Sequence, residues 1–369
     1  MKAPSLTIGI EEEYQVVDPE TRELRSYVTE AIEDDTVLLE TVQPELHAST
    51  VEVASTVCET PAEAREELVR LRGRVRDFAT DQGLEILSAG THPFSSWQAQ
   101  DITPLSRYTE IREDMAELAQ RMLAFGLHVH IGIEDRDFLI DAMNVSRYFL
   151  PHLLALSTSS PFWTGRDTGL KSYRSVVWED FPRTGIPPHV ESWAAYQEMV
   201  DTLSKTGCIP DGSKIWWDLR PNWNYPTLEF RVCDACTRVD EAVCVAAIVQ
   251  ALVAKLWKLR SDNLTFRVYP ESFTDENKWR AARYGLDGRL IDFGKEEELP
   301  AKELIRELIE DFLGDTIDEL GTRREVEYAY RILEEGTSAD RQLEVYRETG
   351  DLEAVVDLLI EETRKGVGD

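Results

Sequence analysis

Four short segments carry side chains able to do chemistry, at spacings that could bring them together. Glu11 and Glu13 lie two residues apart in an alternating stretch, Leu6 to Val17. They share one face of a strand, while Ile8, Ile10, Glu12, Tyr14 and Val16 share the other. His128 and His130 repeat this spacing within Leu127 to Glu134, and Glu229 and Arg231 repeat it within Thr227 to Val232. Glu45 and Glu52 fall in a β-branched stretch from Glu45 to Val57. Their odd separation places them on opposite faces of one regular strand, so both reach one site only if a bend or bulge intervenes or if Glu45 precedes the strand. An ordinary solvated face explains any one pair. It explains four pairs, each opposite Ile, Leu, Val or Phe, much less well. Clustered carboxylates repel unless cations neutralise them, and an oxygen-rich set with some imidazole suits Mg²⁺ or Mn²⁺ rather than zinc. Mg²⁺ bridges to substrate phosphates, so the pattern points to nucleotide chemistry with more than one metal.

The motifs that are missing narrow this chemistry. The sequence has no G-x-x-x-x-G-K-[ST], no G-x-G-x-x-G after a strand, no G-x-S-x-G and no H-E-x-x-H. A nucleotide would therefore be held through metals and arginines, not a glycine cradle. Cys233 and Cys236 have the spacing of half a zinc site, but no second pair exists, and five scattered cysteines do not make a disulfide framework.

The elements that must position these residues follow from periodicity. Thr60-Pro-Ala-Glu63 combines an N-cap, a proline at the first helical position and a glutamate three residues after the cap. It predicts a helix to about Gln82, stopped by Gly83. Short strands are expected over Leu84 to Ala89 and Ile215 to Leu219, and helices over Thr109 to Phe125, Phe138 to Ser157 and Arg238 to Leu259. Ser160 to Pro188 reads as loop, and nearly everything after Arg238 as helix. Polar and apolar residues alternate within each strand, which favours an antiparallel sheet with one wet, acidic face. The fold class is thus α+β: a mostly antiparallel sheet with flanking helices and a helical C-terminal third.

Composition bounds the partners. Forty Lys and Arg against seventy Asp and Glu give a net charge of −30 over 369 residues, a field that repels nucleic acid. The longest apolar stretch, Ala242 to Leu256, contains Gln250 and Lys255 and falls short of a membrane span. Met1-Lys-Ala-Pro4 runs directly into the first strand pattern without a leader, so a cytoplasmic location is expected.

Gly9-Ile-Glu-Glu-Glu-Tyr14, Glu45 with Glu52, Gly126-Leu-His-Val-His-Ile-Gly132, Ser160-Pro-Phe162 and Leu228-Glu-Phe-Arg-Val-Cys-Asp234 occur in that order, followed by the stretch from Glu276 to Gly288. Together they resemble the glutamate–cysteine ligase type 2 family of ATP-dependent carboxylate–amine ligases, over nearly the whole chain. The resemblance implies a curved antiparallel sheet of the glutamine synthetase and guanidino kinase kind, with an acidic concave face. It implies ATP and Mg²⁺ as cofactors, with Mn²⁺ as a substitute. It also implies glutamate and cysteine, or another amine, as substrates, and a homodimer.

By the same resemblance Glu11, Glu13, Glu45, Glu52, His128 and Glu229 are metal ligands. Arg231 faces the transferred phosphoryl group, and Arg174 lies near substrate carboxylates or phosphate. His130, Arg166, Lys171 and Arg220 are further substrate- or nucleotide-binding candidates. The chain is expected to act as one catalytic unit over 1–369, with the sheet-containing core in 5–236 and a mainly helical part in 237–369. Two other readings share the acidic face: a phosphotransferase acting on a guanidino group or amine, and a non-catalytic acidic protein that binds metal or a partner.

Overall fold

The computed structural model describes residues 2–27 and 42–367. At its centre is a seven-stranded sheet in the order β2-β3-β1-β5-β9-β8, with β4 also paired to β1. These strands are β1 (Ile8–Val17), β2 (Val42–Pro44), β3 (Thr50–Ala54), β4 (Glu85–Leu87), β5 (Gly126–Gly132), β8 (Leu219–Pro221) and β9 (Thr227–Asp234). A small hairpin, β6 (Phe162–Trp163) with β7 (Arg166–Asp167), stands apart. Every pairing in the large sheet is antiparallel. Gln15 pairs with both Thr50 and Leu87, so β4 lies on the same edge of β1 as β5, past its end.

The apolar side chains of alternate strand positions face helices. Ile8, Ile10, Leu127, Val129, Ile131, Leu228 and Phe230 are each at most 1% exposed and join one cluster with the helix Val239–Ser261. That cluster reaches to Leu333, so both parts of the chain share a core. Each fully buried aliphatic side chain contributes about 1.5–3 kcal/mol relative to exposure. The helix Val239–Ser261 has 23 residues, longer than the apolar stretch suggests, and it is apolar enough to cross a membrane; here 78% of its most apolar window is buried in the core.

Glu12 shows how strictly the alternation is enforced. It lies on the helix side of β1, where Arg72 of the helix Pro61–Asp81 meets it with Nε at 3.0 Å and Nη2 at 2.6 Å. Arg72 Nη1 and Nη2 also donate to the Thr237 and Cys236 carbonyls. The helix begins as its sequence predicts, with the Thr60 hydroxyl accepting from the Glu63 amide and a proline in the first turn.

Some elements depart from expectation. The helix expected from Phe138 is divided into Arg136–Ser146 and Leu150–Ser157 by a tighter turn, Arg147–Phe149. Pro151 lacks the N–H that would bond back to residue 147, and its ring crowds that carbonyl. The helix expected over Thr109 to Phe125 is Ser106–Met115 and Glu117–Arg121, broken at Ala116, which has φ +52°. Residues 216 and 218 do not enter the sheet, because their amides donate to the Arg183 and Gly185 carbonyls; the strand is therefore confined to Leu219–Pro221. The C-terminal third also holds one hairpin, Arg289–Asp292 with Glu297–Pro300. Asp292 Oδ1 tightens its turn by accepting from the amides of Gly294 and Lys295.

Candidate active site

The opposite face of the sheet gathers the polar residues. Cross-strand register sets Glu11 opposite His128, Glu13 opposite Glu52, His130 opposite Glu229, and Glu229 opposite Arg220. Glu45 joins them because it precedes β3: β2 ends at Pro44, and residues 45–49 turn the chain before β3 starts. Glu11, Glu13, Glu45, Glu52, His128, Arg220 and Arg231 line one open cavity. His130 and Glu229 sit beneath it, at 6% and 1% exposure.

Glu11 touches both imidazoles. Its Oε2 is 3.0 Å from His128 Nδ1 and its Oε1 is 3.2 Å from His130 Nε2. Burial pushes the Glu11 carboxyl up, but the two imidazoles more than compensate and hold it well below the usual carboxylate range. Burial pushes His128 down to about 4, with Arg231 adding to the effect, so it is neutral at pH 7. Glu13 is raised to about 7 by burial and by Glu45, and Glu52 is held well above the usual carboxylate range by burial and by Glu45, Glu11 and Glu13. Three of the four carboxylates lining the cavity are therefore short of positive charge, since Glu45 is raised as well, chiefly by burial.

The donor set fits a divalent cation. Ligand atoms of Glu11, His130 and Glu229 come within 4.8 Å of one another. The His130 Nδ1 is 3.1 Å from Thr227 Oγ1, which leaves Nε2 directed at Glu11. The Nε2 of His128 is buried without a hydrogen-bond partner, and that of His130 meets only Glu11. Glu229 is more heavily committed. Arg220 grips it with Nε at 2.9 Å and Nη2 at 3.1 Å, Asn222 Nδ2 donates at 2.8 Å, and Arg231 Nη1 bonds it too. Burial opposes ionisation of Glu229, yet Arg220 and Arg231 hold it ionised. A cation bound to Glu229 would take over one of these four bonds.

Arg174 is buried behind the cavity. Its Nη2 donates to the Arg231 carbonyl at 3.0 Å, and its guanidinium lies over the Trp178 ring at 5.7 Å, where Arg231 also lies at 5.1 Å. Gly126 makes room for it: a Cβ there would meet Arg174 Nη2 at 2.5 Å. Arg166 and Lys171 are placed elsewhere. Arg166 is exposed on the β6–β7 hairpin, and Lys171 is tied to Asp340 and Asp287. Cys233 and Cys236 are buried thiols, and Cys233 packs in the core opposite Leu127.

Sequence spacing gave no sign of the other wall of the cavity. Leu46, Ile111, Met122, Trp178, Phe181 and Trp216 line it beside the carboxylates. Tyr108 donates to Glu45 Oε2 at 3.1 Å. These side chains come from loops and helix faces far apart in sequence, so no local period marks them.

The chain is similar to known proteins over nearly its whole length. The model of the family described as "Glutamate-cysteine ligase family 2 (GCS2)" matches residues 7–358. A protein of Roseiflexus castenholzii named "Putative glutamate--cysteine ligase 2" is 58% identical over 362 residues, covering 98% of this chain and 95% of its own. One of the same name from Herpetosiphon aurantiacus is 55% identical, covering 98% and 94%. Among solved structures, a glutamate–cysteine ligase of Francisella tularensis in complex with AMP superposes with a TM-score of 0.70 at 13% identity, over 100% of this chain and 90% of that one. A bifunctional glutathione synthetase of Pasteurella multocida gives 0.68 at 13% identity, over 97% of this chain and 52% of that one. These two likenesses show the fold, while the matched length and the identity to the curated relatives settle kinship: the chain belongs to glutamate–cysteine ligase family 2, a family of ATP-dependent carboxylate–amine ligases.

Proposed function

We propose that the chain joins the γ-carboxylate of glutamate to the amino group of cysteine at the expense of ATP. The observation that carries the reading is the convergence of Glu11, His130 and Glu229 beside Arg231 on one sheet face. Glu11, Glu13, Glu45, Glu52, His128, His130 and Glu229 would hold Mg²⁺ or Mn²⁺, which neutralises charge on the phosphate oxygens of the nucleotide.

The reaction has two steps. A γ-carboxylate oxygen of glutamate attacks the γ-phosphorus of ATP, and ADP leaves with the electron pair of the broken P–O bond. The cysteine nitrogen then attacks the acyl carbon, phosphate departs with the carboxylate oxygen, and the ammonium proton passes to solvent. Arg231 would offer its donors to the phosphoryl oxygens, and the buried Arg174 guanidinium would add positive charge behind it. The α-amino group of the acceptor titrates near pH 7.7–8.0, roughly the working range, so no strong base is needed. The apolar wall of Met122, Phe181 and Trp216 suits a small hydrophobic acceptor side chain, and a neutral thiol is one.

Glutamate carrying ¹⁸O in its γ-carboxyl group tests the route. The reading predicts one ¹⁸O in the released phosphate for each amide bond formed. Phosphate without label would contradict an acyl-phosphate step. ADP formation with a stable phosphorylated amine and no free phosphate would instead indicate a phosphotransferase.

A further inference from the structure

Asp234, the last residue of β9, is fully enclosed, and among the described residues no cation pairs with it. It reaches the site face only because β9 carries a bulge. The β5–β9 register passes from Val129 opposite Phe230 to Leu127 opposite Cys233, so Arg231 and Val232 together oppose His128. Counted in steps of two from Glu229, residue 234 would lie on the apolar face. With the extra residue it stands opposite Gly126, on the face of His128 and His130. Gly90 leaves space for its carboxylate, since a Cβ there would meet Asp234 Cγ at 2.8 Å.

The carboxylate is saturated by donors from two segments. Oδ2 accepts from the Ser159 amide at 2.9 Å and from Ser160 Oγ at 2.7 Å, and Oδ1 accepts from Ser172 Oγ at 2.7 Å. Both hydroxyls continue to the start of a helix, Arg174–Glu179, which interrupts the stretch expected as loop. The Arg174 amide donates to Ser160 Oγ at 3.0 Å, and the Ser175 amide approaches Ser172 Oγ at 3.4 Å. The guanidinium of Arg174 closes the loop by donating to the Arg231 and Val232 carbonyls, which the bulge leaves outside the regular ladder. One end of β9 therefore fixes the backbone of Arg174 through Asp234, and the bulge beside it fixes the side chain.

We propose that Asp234 is a positioning residue for Arg174, holding its guanidinium against the Arg231 carbonyl and Trp178 so that it sets Arg231 toward the transferred phosphoryl group and adds its charge from behind. This rests on the ligase reading above. Asp234 would touch neither nucleotide nor amino acid, so its loss should lower turnover while ATP binding is largely kept.

A double-mutant cycle tests the assignment, with phosphate release as the readout. Asp234→Ala should lower kcat about 10- to 100-fold, with KM for ATP changed less than about 3-fold. In an Arg174→Ala background the same change should cost less than about 2-fold, because the group it positions is gone. Asp234→Asn keeps an acceptor for Ser159 and Ser160, and the Ser172 hydroxyl can turn to Ser175, 2.8 Å away, so this variant should stay within about 5-fold of wild type. Losses that multiply independently, or an Asn variant as damaged as the Ala variant, would overturn the proposal. If Asp234→Ala does not fold, Ser160→Ala cuts the same link, and its loss must likewise vanish in the Arg174→Ala background. Should wild type bind Mg²⁺-ATP yet turn over with no amine, the ligase reading fails. The positioning role is then read from a crystal structure of Asp234→Ala, where an Arg174 guanidinium displaced from the Arg231 and Val232 carbonyls would support it and an unmoved one would reject it.

Discussion

Glu13 of β1 stands directly opposite Glu52 of β3, so two carboxylates occupy one cross-strand pair on the site face. Like charges in that position destabilise a sheet, and burial deepens the conflict by raising both carboxyls, Glu13 to about 7. Because the folded pKa of Glu13 lies above its unfolded value, the folded protein holds a proton that the unfolded chain has released. Without cations this contribution to stability is present below about pH 4.5 and is lost as pH rises to about 7, by roughly 1.4 kcal/mol per unit. Mg²⁺ should therefore raise Tm more at pH 8 than at pH 5.5. Glu52→Gln should raise the Tm of the cation-free protein at pH 8, shrink the Mg²⁺ shift and lower turnover about 100-fold or more. Equal Mg²⁺ shifts at both pH values would count against cation binding by this pair.

The Glu229 cluster makes a different prediction. Glu229→Gln leaves the buried Arg231 and the partly buried Arg220 with no negative partner between them, at a cost of about 3–5 kcal/mol by denaturation, and should abolish phosphate release in the protein that remains folded. Arg231→Lys keeps charge but loses the fork. Turnover should fall about 100-fold while Mg²⁺-ATP affinity changes little. An unchanged rate would make Arg231 structural.

Much of this site was legible in the sequence, because a strand's two-residue period leaves little freedom. Glu11, Glu13, His128, His130, Glu229 and Arg231 share a face, as their spacing requires, and of the two ways that Glu45 and Glu52 could meet, the chain takes the one in which Glu45 precedes the strand. Three kinds of feature were not legible. Pro151 divides a helix whose apolar period runs straight through it. The bulge that turns Asp234 toward the site falls at Arg231 and Val232, inside a run, Leu228 to Val232, whose sequence alternates regularly. The aromatic wall of Trp178 and Trp216 exists only in three dimensions. Lys171 sits in the same loop as Arg174, yet the fold spends it on Asp340, because charge pairing across 169 residues leaves no local sequence mark.

Arg72 and Glu12 test the other face of the sheet. Arg72→Met leaves the Glu12 carboxylate buried without its cation and frees the Thr237 and Cys236 carbonyls. Stability should fall by about 3–5 kcal/mol in chemical denaturation, with turnover per folded molecule near wild type. A large loss of turnover at full folding would tie this pair to the site.

His92 sets a pH dependence remote from the site cavity. Its Nε2 lies 2.9 Å from the Arg22 carbonyl, and its Nδ1 accepts from the amides of Phe94 and Ser95, which requires the neutral ring. Burial pushes it down to about 3, against the pull of the Arg22 carbonyl. The folded pKa lies below the unfolded value near 6.5, so between them the unfolded chain binds the extra proton. Stability is then full above pH 6.5 and falls on acidification by about 1.4 kcal/mol per unit. His92→Gln removes that slope: between pH 6 and 4.5 wild type should lose stability more steeply than the variant by this amount. Parallel curves would contradict the assignment.

The most direct measurement is phosphate release from Mg²⁺-ATP with glutamate present, with and without cysteine, alongside a panel of other amines and with mass analysis of the product. The ligase reading predicts phosphate that appears only with glutamate and an amine together, in equal amount to γ-glutamylcysteine when cysteine is the amine. Release with a different amine alone would keep the ligase and reject cysteine as the acceptor. Folded protein that binds Mg²⁺-ATP but releases no phosphate with any amine would contradict ligation.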